Sequence, residues 1–222
     1  MTDRFRVGVL ASGTGSNLQA ILDRVHGRDA DVVAVGSDKP GAQALARAEA
    51  LGIATKTFPG AEFSSREARD TAMAEWLLGE GVQLVVLAGY MQLVSAAFLG
   101  RFPQRVINVH PALLPAFPGI RAVEQALEYG VKVFGVTVHF VDAGVDTGPV
   151  ILQRALELPD VTDADTIRDR LRPVEHDLLT SAVALIARGA VRPDPDHPRR
   201  ISISKSGTSP PPHPDHPTLK EQ

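Results

Sequence analysis

Residues 6–22 read Arg6-Val7-Gly8-Val9-Leu10-Ala11-Ser12-Gly13-Thr14-Gly15-Ser16-Asn17-Leu18-Gln19-Ala20-Ile21-Leu22, and this stretch decides the fold class. The apolar run from Arg6 to Ala11 has the length of a strand, and from Asn17 toward Val25 the apolar side chains recur at helical spacing. Glycines at 13 and 15 let the chain turn tightly between the two. Strand, turn and helix in this order are the opening of a β-α-β unit. Free backbone amides at the start of such a helix, with its dipole behind them, make a seat for a phosphate. A dinucleotide fingerprint needs a third glycine at position 18; Leu18 stands there, which disfavours a nicotinamide cofactor and leaves room for a monophosphate. An ordinary tight turn capped by Ser16 or Asn17 fits the same residues.

The alternation continues along the chain. Strands are predicted near Arg6–Ala11, Asp31–Ser37, Ala54–Phe58, Leu84–Ala88, Val106–Val109, Val133–Val141 and Val150–Leu158. Helices are predicted near Asn17–Val25, Gln43–Leu51, Ser65–Gly79 and Arg121–Tyr129, each long enough to cross over between parallel strands. A longer helix near Asp165–Ala187 carries Ile167, Leu171, Val174, Leu178, Ala182 and Leu185 on one face, and Pro173 predicts a kink or a break within it. The expected architecture is α/β, a mostly parallel sheet with helices on both faces.

Composition narrows the function. With 44% hydrophobic and 22% charged residues over 222 positions, the chain can bury a core as one catalytic domain. A net charge of −3 supplies no global basic field, so nucleic acid is not an expected partner. The absence of cysteine excludes disulfides, zinc-thiolate sites and thiol nucleophiles, and fits a cytoplasmic location. No apolar run is long enough to span a membrane and no cleavable leader is visible at Met1–Arg6. From Val191 onward lie eight of the 17 prolines and three of the seven histidines, which predicts poor packing there. Domain boundaries are set accordingly at 1–201 for the catalytic domain and 202–222 for a proline-rich tail.

Two further motifs could carry chemistry. Asn108-Val109-His110-Pro111 ends a strand, where ligands gather in open α/β sheets, and period-two alternation puts Asn108 and His110 on one side. An amide donor beside an imidazole suits acyl transfer, one stabilising an oxyanion and the other handling a proton; a lone strand-end histidine is more often structural. Asp146 lies between Gly144 and Gly148 in a turn, where its carboxylate could raise a neighbouring histidine's affinity for a proton, or sit in solvent as turn aspartates commonly do. His139, on the preceding strand, reads as a hydrogen-bonded core histidine. No Gly-x-Ser-x-Gly elbow supports serine hydrolysis, and the histidines lack the close spacing of a metal site.

Taken in order, Gly13-Thr14-Gly15-Ser16-Asn17-Leu18-Gln19-Ala20, Ala88-Gly89-Tyr90-Met91, Ile107-Asn108-Val109-His110-Pro111-Ala112-Leu113-Leu114-Pro115-Ala116-Phe117-Pro118-Gly119 and Asp146-Thr147-Gly148-Pro149-Val150-Ile151 closely resemble the glycinamide ribonucleotide formyltransferase family. The resemblance covers about residues 6 to 201. It implies a single-domain Rossmann-like formyltransferase fold whose amino-terminal half holds the ribonucleotide and whose carboxyl-terminal half holds the folate. It implies Asn108, His110 and Asp146 as the catalytic trio, Gly15, Ser16 and Asn17 at the phosphate, and Glu175 at the glycinamide end. Folate contacts are implied for Arg66, for Met91, Gln92, Leu93 and Val94, and for Ala143, Gly144 and Val145 beside Asp146.

The implied reaction moves the formyl group of 10-formyltetrahydrofolate, a cosubstrate, to glycinamide ribonucleotide in purine synthesis, with no metal. A homodimer stays open as the assembly. Departures from the family pattern are Ala112 for Ser, Arg121 for His, and Pro173 just ahead of Val174-Glu175. Methionyl-tRNA formyltransferase and formyltetrahydrofolate hydrolase share the trio; the acidic balance, short tail and phosphate turn favour the ribonucleotide enzyme. A non-catalytic domain that seats a phosphorylated metabolite is the alternative outside enzymes, and it does not call for the trio.

Overall fold

The computed structural model describes residues 4–204. The proline-rich segment 205–222, and with it most of the expected tail, lies outside the described residues. Seven strands form one sheet: β1 (Phe5–Leu10), β2 (Ala30–Ser37), β3 (Ala54–Thr57), β4 (Leu84–Leu87), β5 (Val106–His110), β6 (Val133–Phe140) and β7 (Val150–Glu157). Their spatial order is β3-β2-β1-β4-β5-β6-β7. The first five run parallel, while β6 is antiparallel to both β5 and β7. After β3 the chain returns to the other side of β1, so a topological switch opens beyond the ends of β1 and β4, where open α/β sheets bind ligands.

The helices are α1 (Ser16–Arg24), α2 (Gln43–Glu49), α3 (Arg66–Gly79), α4 (Ala96–Arg101), α5 (Ala122–Tyr129) and α6 (Ala164–Ala187). Period-two alternation sorts each strand's side chains between two cores. Val7, Val9, Val86, Ile107, Val109, Val136 and Val138 pack with Leu18 and Ile21 of α1 and with Ile167, Leu171 and Leu178 of α6. Leu10, Val85, Leu87 and Val106 face the other way, onto Met73 and Leu77 of α3 and Phe98 of α4. Both faces are thereby covered, as a mostly parallel sheet requires.

Local chemistry sets the helix starts. Ser65 Oγ accepts from the Ala68 amide at 3.1 Å to cap α3, and Asp163 Oδ1 accepts from the Thr166 amide at 2.7 Å to cap α6. Of the kink or break expected at Pro173, the break does not occur: helix α6 runs from Ala164 to Ala187 with the proline inside it. The proline and Asp169, whose carbonyl loses its partner, are both exposed, so water can satisfy the freed oxygen, and Leu171 and Leu178 hold the helix down on either side.

Two further strands, β8 (Val191–Pro193) and β9 (Ile201–Ile203), pair antiparallel in a small separate sheet. The proline-rich composition of that stretch did not predict them, and their pairing carries ordered chain past residue 201. Among the described residues no helix is long and apolar enough to cross a membrane.

Candidate active site

The turn between β1 and α1 is built around Gly15, which precedes α1 at φ 72° with no side-chain cap. A Cβ at this position would come within 2.9 Å of Ala44 on α2, so both the backbone conformation and the close approach require glycine. Neither Ser16 nor Asn17 caps the helix, which corrects the simpler reading of the turn. The amides at the head of α1 keep the geometry of an anion seat. Arg47 of α2 braces the turn from outside, donating to the Thr14 carbonyl at 2.8 Å.

Beside this turn opens a cavity of about 310 Å³ lined by Ser16, Pro111, Arg121, Ala122, Val123, Glu124, Arg168, Arg172 and Glu175. It joins the β1–α1 turn to α5, to α6 and to the residue directly after His110. Arg121 and Arg168 both pair with Glu124 across the rim, so three guanidiniums and two carboxylates surround a space able to take a polar, anionic ligand. Glu175 is half-buried, and that burial raises its carboxyl above the usual range, against the opposing hydrogen bond from Asn17 and the charge of Arg172. Arg168, Arg172 and Glu175 sit four and three positions apart on one helical face; the resemblance pointed to Glu175, but the periodicity of α6 drew attention to its apolar face and the two arginines beside Glu175 were missed.

Asn108, His110 and Asp146 meet next to the cavity, with Pro111 as the link. Asp146 stands at φ 52°, in a loop bent back on itself. Gly148 lies so close to β6 that a Cβ there would overlap the Phe140 carbonyl oxygen. Asp142 shapes the same loop, its Oδ1 accepting from the Gly144 amide at 3.1 Å and from the Thr147 hydroxyl at 2.6 Å. Asp146 Oδ2 accepts from the Gly119 amide at 2.7 Å and lies 3.3 Å from His110 Nδ1. Asp146 Oδ1 lies 3.4 Å from Asn108 Nδ2 and 3.5 Å from His139 Nε2. Burial works to raise this carboxyl, but the hydrogen bonds from His139 and Gly119 and the charges of His110 and His139 outweigh it and bring Asp146 to about 2.

The ring nitrogens can be assigned from their partners. His110 Nε2 sits 2.8 Å from the Phe117 carbonyl and His139 Nδ1 2.8 Å from the Phe140 carbonyl; a carbonyl only accepts, so both nitrogens carry protons. The opposite nitrogen of each ring faces Asp146 and donates to it only when the ring is protonated. His139 was expected in the core, and it is 1% exposed, but it also belongs to the site. Strand alternation carried no sign of this: the register that sets His139 opposite Asn108 exists only once β6 has paired with β5.

The remaining expected positions are more dispersed. Met91 and Leu93 are 64% and 58% exposed, and their segment is tied to the strand ends by Ser12 Oγ, which accepts from the Met91 amide at 2.9 Å, and by Gln92, which donates to Asp38 at 3.3 Å. Val94 packs on the second core. Ala143, Gly144 and Val145 are exposed on the Asp146 loop. Arg66 pairs with Glu67 at 3.5 Å at the exposed start of α3, outside both the cavity and the Asp146 network. Among the described residues no cluster of three or more His, Cys, Asp or Glu is arranged to hold a metal ion.

An α/β sheet that presents an amide, an imidazole and a loop carboxylate together is the arrangement of an acyl-transfer enzyme, and residues 5–183 match the family model described as formyl transferase. The chain is 42% identical over 180 residues to the phosphoribosylglycinamide formyltransferase of Bacillus subtilis, covering 80% of this chain and 92% of that protein. The crystal structure of glycinamide ribonucleotide transformylase 1 from Symbiobacterium toebii superposes with a TM-score of 0.85 at 46% identity, covering 91% of this chain and 95% of that one. The chain is also 43% identical to the trifunctional purine biosynthetic protein adenosine-3 of Drosophila melanogaster; the match takes in 87% of this chain and spans 15% of that longer protein. The chain belongs to the phosphoribosylglycinamide formyltransferase family.

Proposed function

We propose that the chain transfers the formyl group of 10-formyltetrahydrofolate to the amine of glycinamide ribonucleotide, with Asn108, His110 and Asp146 as the reacting site. The observation that carries this reading is the Asp146 carboxylate, held within 3.3–3.5 Å of His110, Asn108 and His139 beside a cavity that begins at the phosphate turn. Family membership supports a formyl folate as donor. The phosphate would sit on the amides of Gly15, Ser16 and Asn17, and the glycinamide end at Glu175. The pteridine would lie along residues 91–94 and 143–145, with Arg66 toward the donor.

In the reaction the amine nitrogen attacks the formyl carbon and the carbonyl π pair moves onto oxygen. Asn108 donates a hydrogen bond to that oxyanion, and protonated His110 adds positive charge beside it. When the C=O bond re-forms, the bond to the folate nitrogen breaks and that nitrogen takes up a proton. Asp146 accepts the proton released by the attacking amine and relays it, through water, toward the leaving nitrogen.

The test is an acceptor panel. Purified protein and 10-formyltetrahydrofolate are combined with glycinamide ribonucleotide, with charged initiator tRNA, or with water alone, and folate deformylation is followed. The reading expects turnover only with the ribonucleotide. Comparable formylation of the tRNA, or full-speed release of formate without an amine, overturns it.

A further inference from the structure

The side-chain amide of Asn17 donates a 3.3 Å hydrogen bond to Oε2 of Glu175. The two residues are 158 positions apart, Asn17 in the first turn of α1 and Glu175 in the middle of α6. Asn17 is 8% exposed and makes no cap, and its Oδ1 is buried without a partner. A buried amide oxygen left unpaired is costly, of the order of 1–3 kcal/mol, so the contact through the nitrogen is what the position supplies in return.

We propose that Asn17 is a positioning residue acting through Glu175: its amide fixes the carboxylate toward the cavity and ties the phosphate turn to the anchor for the acceptor's amine end. The inference rests on the assignment of Glu175 to that end. It gives Asn17 two duties, its backbone amide at the phosphate seat and its side chain at the carboxylate. A displacement of the head of α1 therefore moves both ends of the acceptor's site together.

The same contact favours the ionised form of Glu175, since an amide N–H donates more strongly to a carboxylate than to the carbonyl oxygen of the neutral acid. The other charged groups around Glu175 are Arg172 and Arg168 on its own helix and, across the cavity from α5, Arg121 and Glu124. Glu124 is already paired with Arg168 and Arg121, so the cations dominate. They stay in place when the Asn17 amide is removed, which makes the expected effect a shift in titration.

The test reads the Glu175 carboxyl by carbon NMR in the free enzyme, together with the pH profile of kcat/KM for glycinamide ribonucleotide. In Asn17→Ala the Glu175 titration and the acid limb of the profile move to higher pH by roughly one unit, the worth of one hydrogen bond to a charged group. KM for the ribonucleotide rises roughly tenfold with kcat nearly unchanged, because binding of the acceptor is what is lost. Asn17→Asp, nearly isosteric and safe for the turn, sets a second carboxylate beside Glu175 and shifts the titration further the same way. In a Glu175→Gln background the Asn17→Ala shift of the acid limb disappears. An unmoved Glu175 titration in folded Asn17→Asp protein overturns the proposal. The NMR readout needs no substrate, so it stands even if the ribonucleotide proves not to be the acceptor, an outcome that would strike the functional reading instead.

Discussion

Asp146 gathers His110, His139, Asn108 and the Gly119 amide around one carboxylate, and each contact has a chemical consequence. Asn108→Ala removes an oxyanion donor and should slow turnover by roughly 10²–10³-fold with ribonucleotide binding mostly kept, as single-turnover kinetics would show. His110 and Asp146 face each other and should act as a unit, so His110→Ala with Asp146→Asn should lose much less than the product of the single losses; rates that multiply cleanly would dissolve the pair.

The low-lying carboxyl also makes a stability prediction. A carboxyl held at about 2, against 3.8 unperturbed, contributes stability that is present above 3.8 and lost as pH falls through 2. The urea-unfolding gap between wild type and Asp146→Asn should therefore narrow from about pH 4 to pH 2. Asn108 and His110 could be read as a pair because alternation alone puts them on one side. Asp146 looked like any turn aspartate until the resemblance placed it, since nothing local says that its loop folds back over β5.

At the scale of elements, the seven sheet strands and five of the six helices were legible because hydrophobic period and length carry that information directly. Helix α4 was not: six residues hold less than two turns of periodicity, and Phe98 is its one buried side chain. Crossover helices made the mostly parallel sheet legible, but not the reversal of β6, because alternation looks the same in a parallel and an antiparallel strand; β6 alone runs against the others and β7 returns to the common direction. Helix α6 matters most for the site, carrying Arg168, Arg172 and Glu175 on one face while Leu171, fully buried, anchors another. Leu171→Ala should cost about 2–5 kcal/mol in chemical denaturation and raise KM for the ribonucleotide more than for the folate. Pro173 should tolerate replacement by Ala with stability unchanged or increased, since the helix already passes through it.

In the whole molecule the candidate site gathers beyond the carboxyl ends of the central strands β1 and β5. The switch beside β1 leaves the Gly13–Asn17 turn at the head of α1, β5 delivers Asn108 and His110 a short distance away, and the antiparallel β6–β7 pair returns the loop that bears Asp146. The cavity between α1, α5 and α6 connects these parts through Pro111. An isolated phosphate-binding domain would need the first of these features and not the others.

The central claim, that this assembly transfers a formyl group to the ribonucleotide through Asp146, is tested most directly with formyl-labelled 10-formyltetrahydrofolate and glycinamide ribonucleotide, wild type beside Asp146→Asn. The account predicts one label in formylglycinamide ribonucleotide for each folate deformylated by the wild type, and near-complete loss of both in the folded variant. Label released as formate, or a variant that transfers at the wild-type rate, would contradict it.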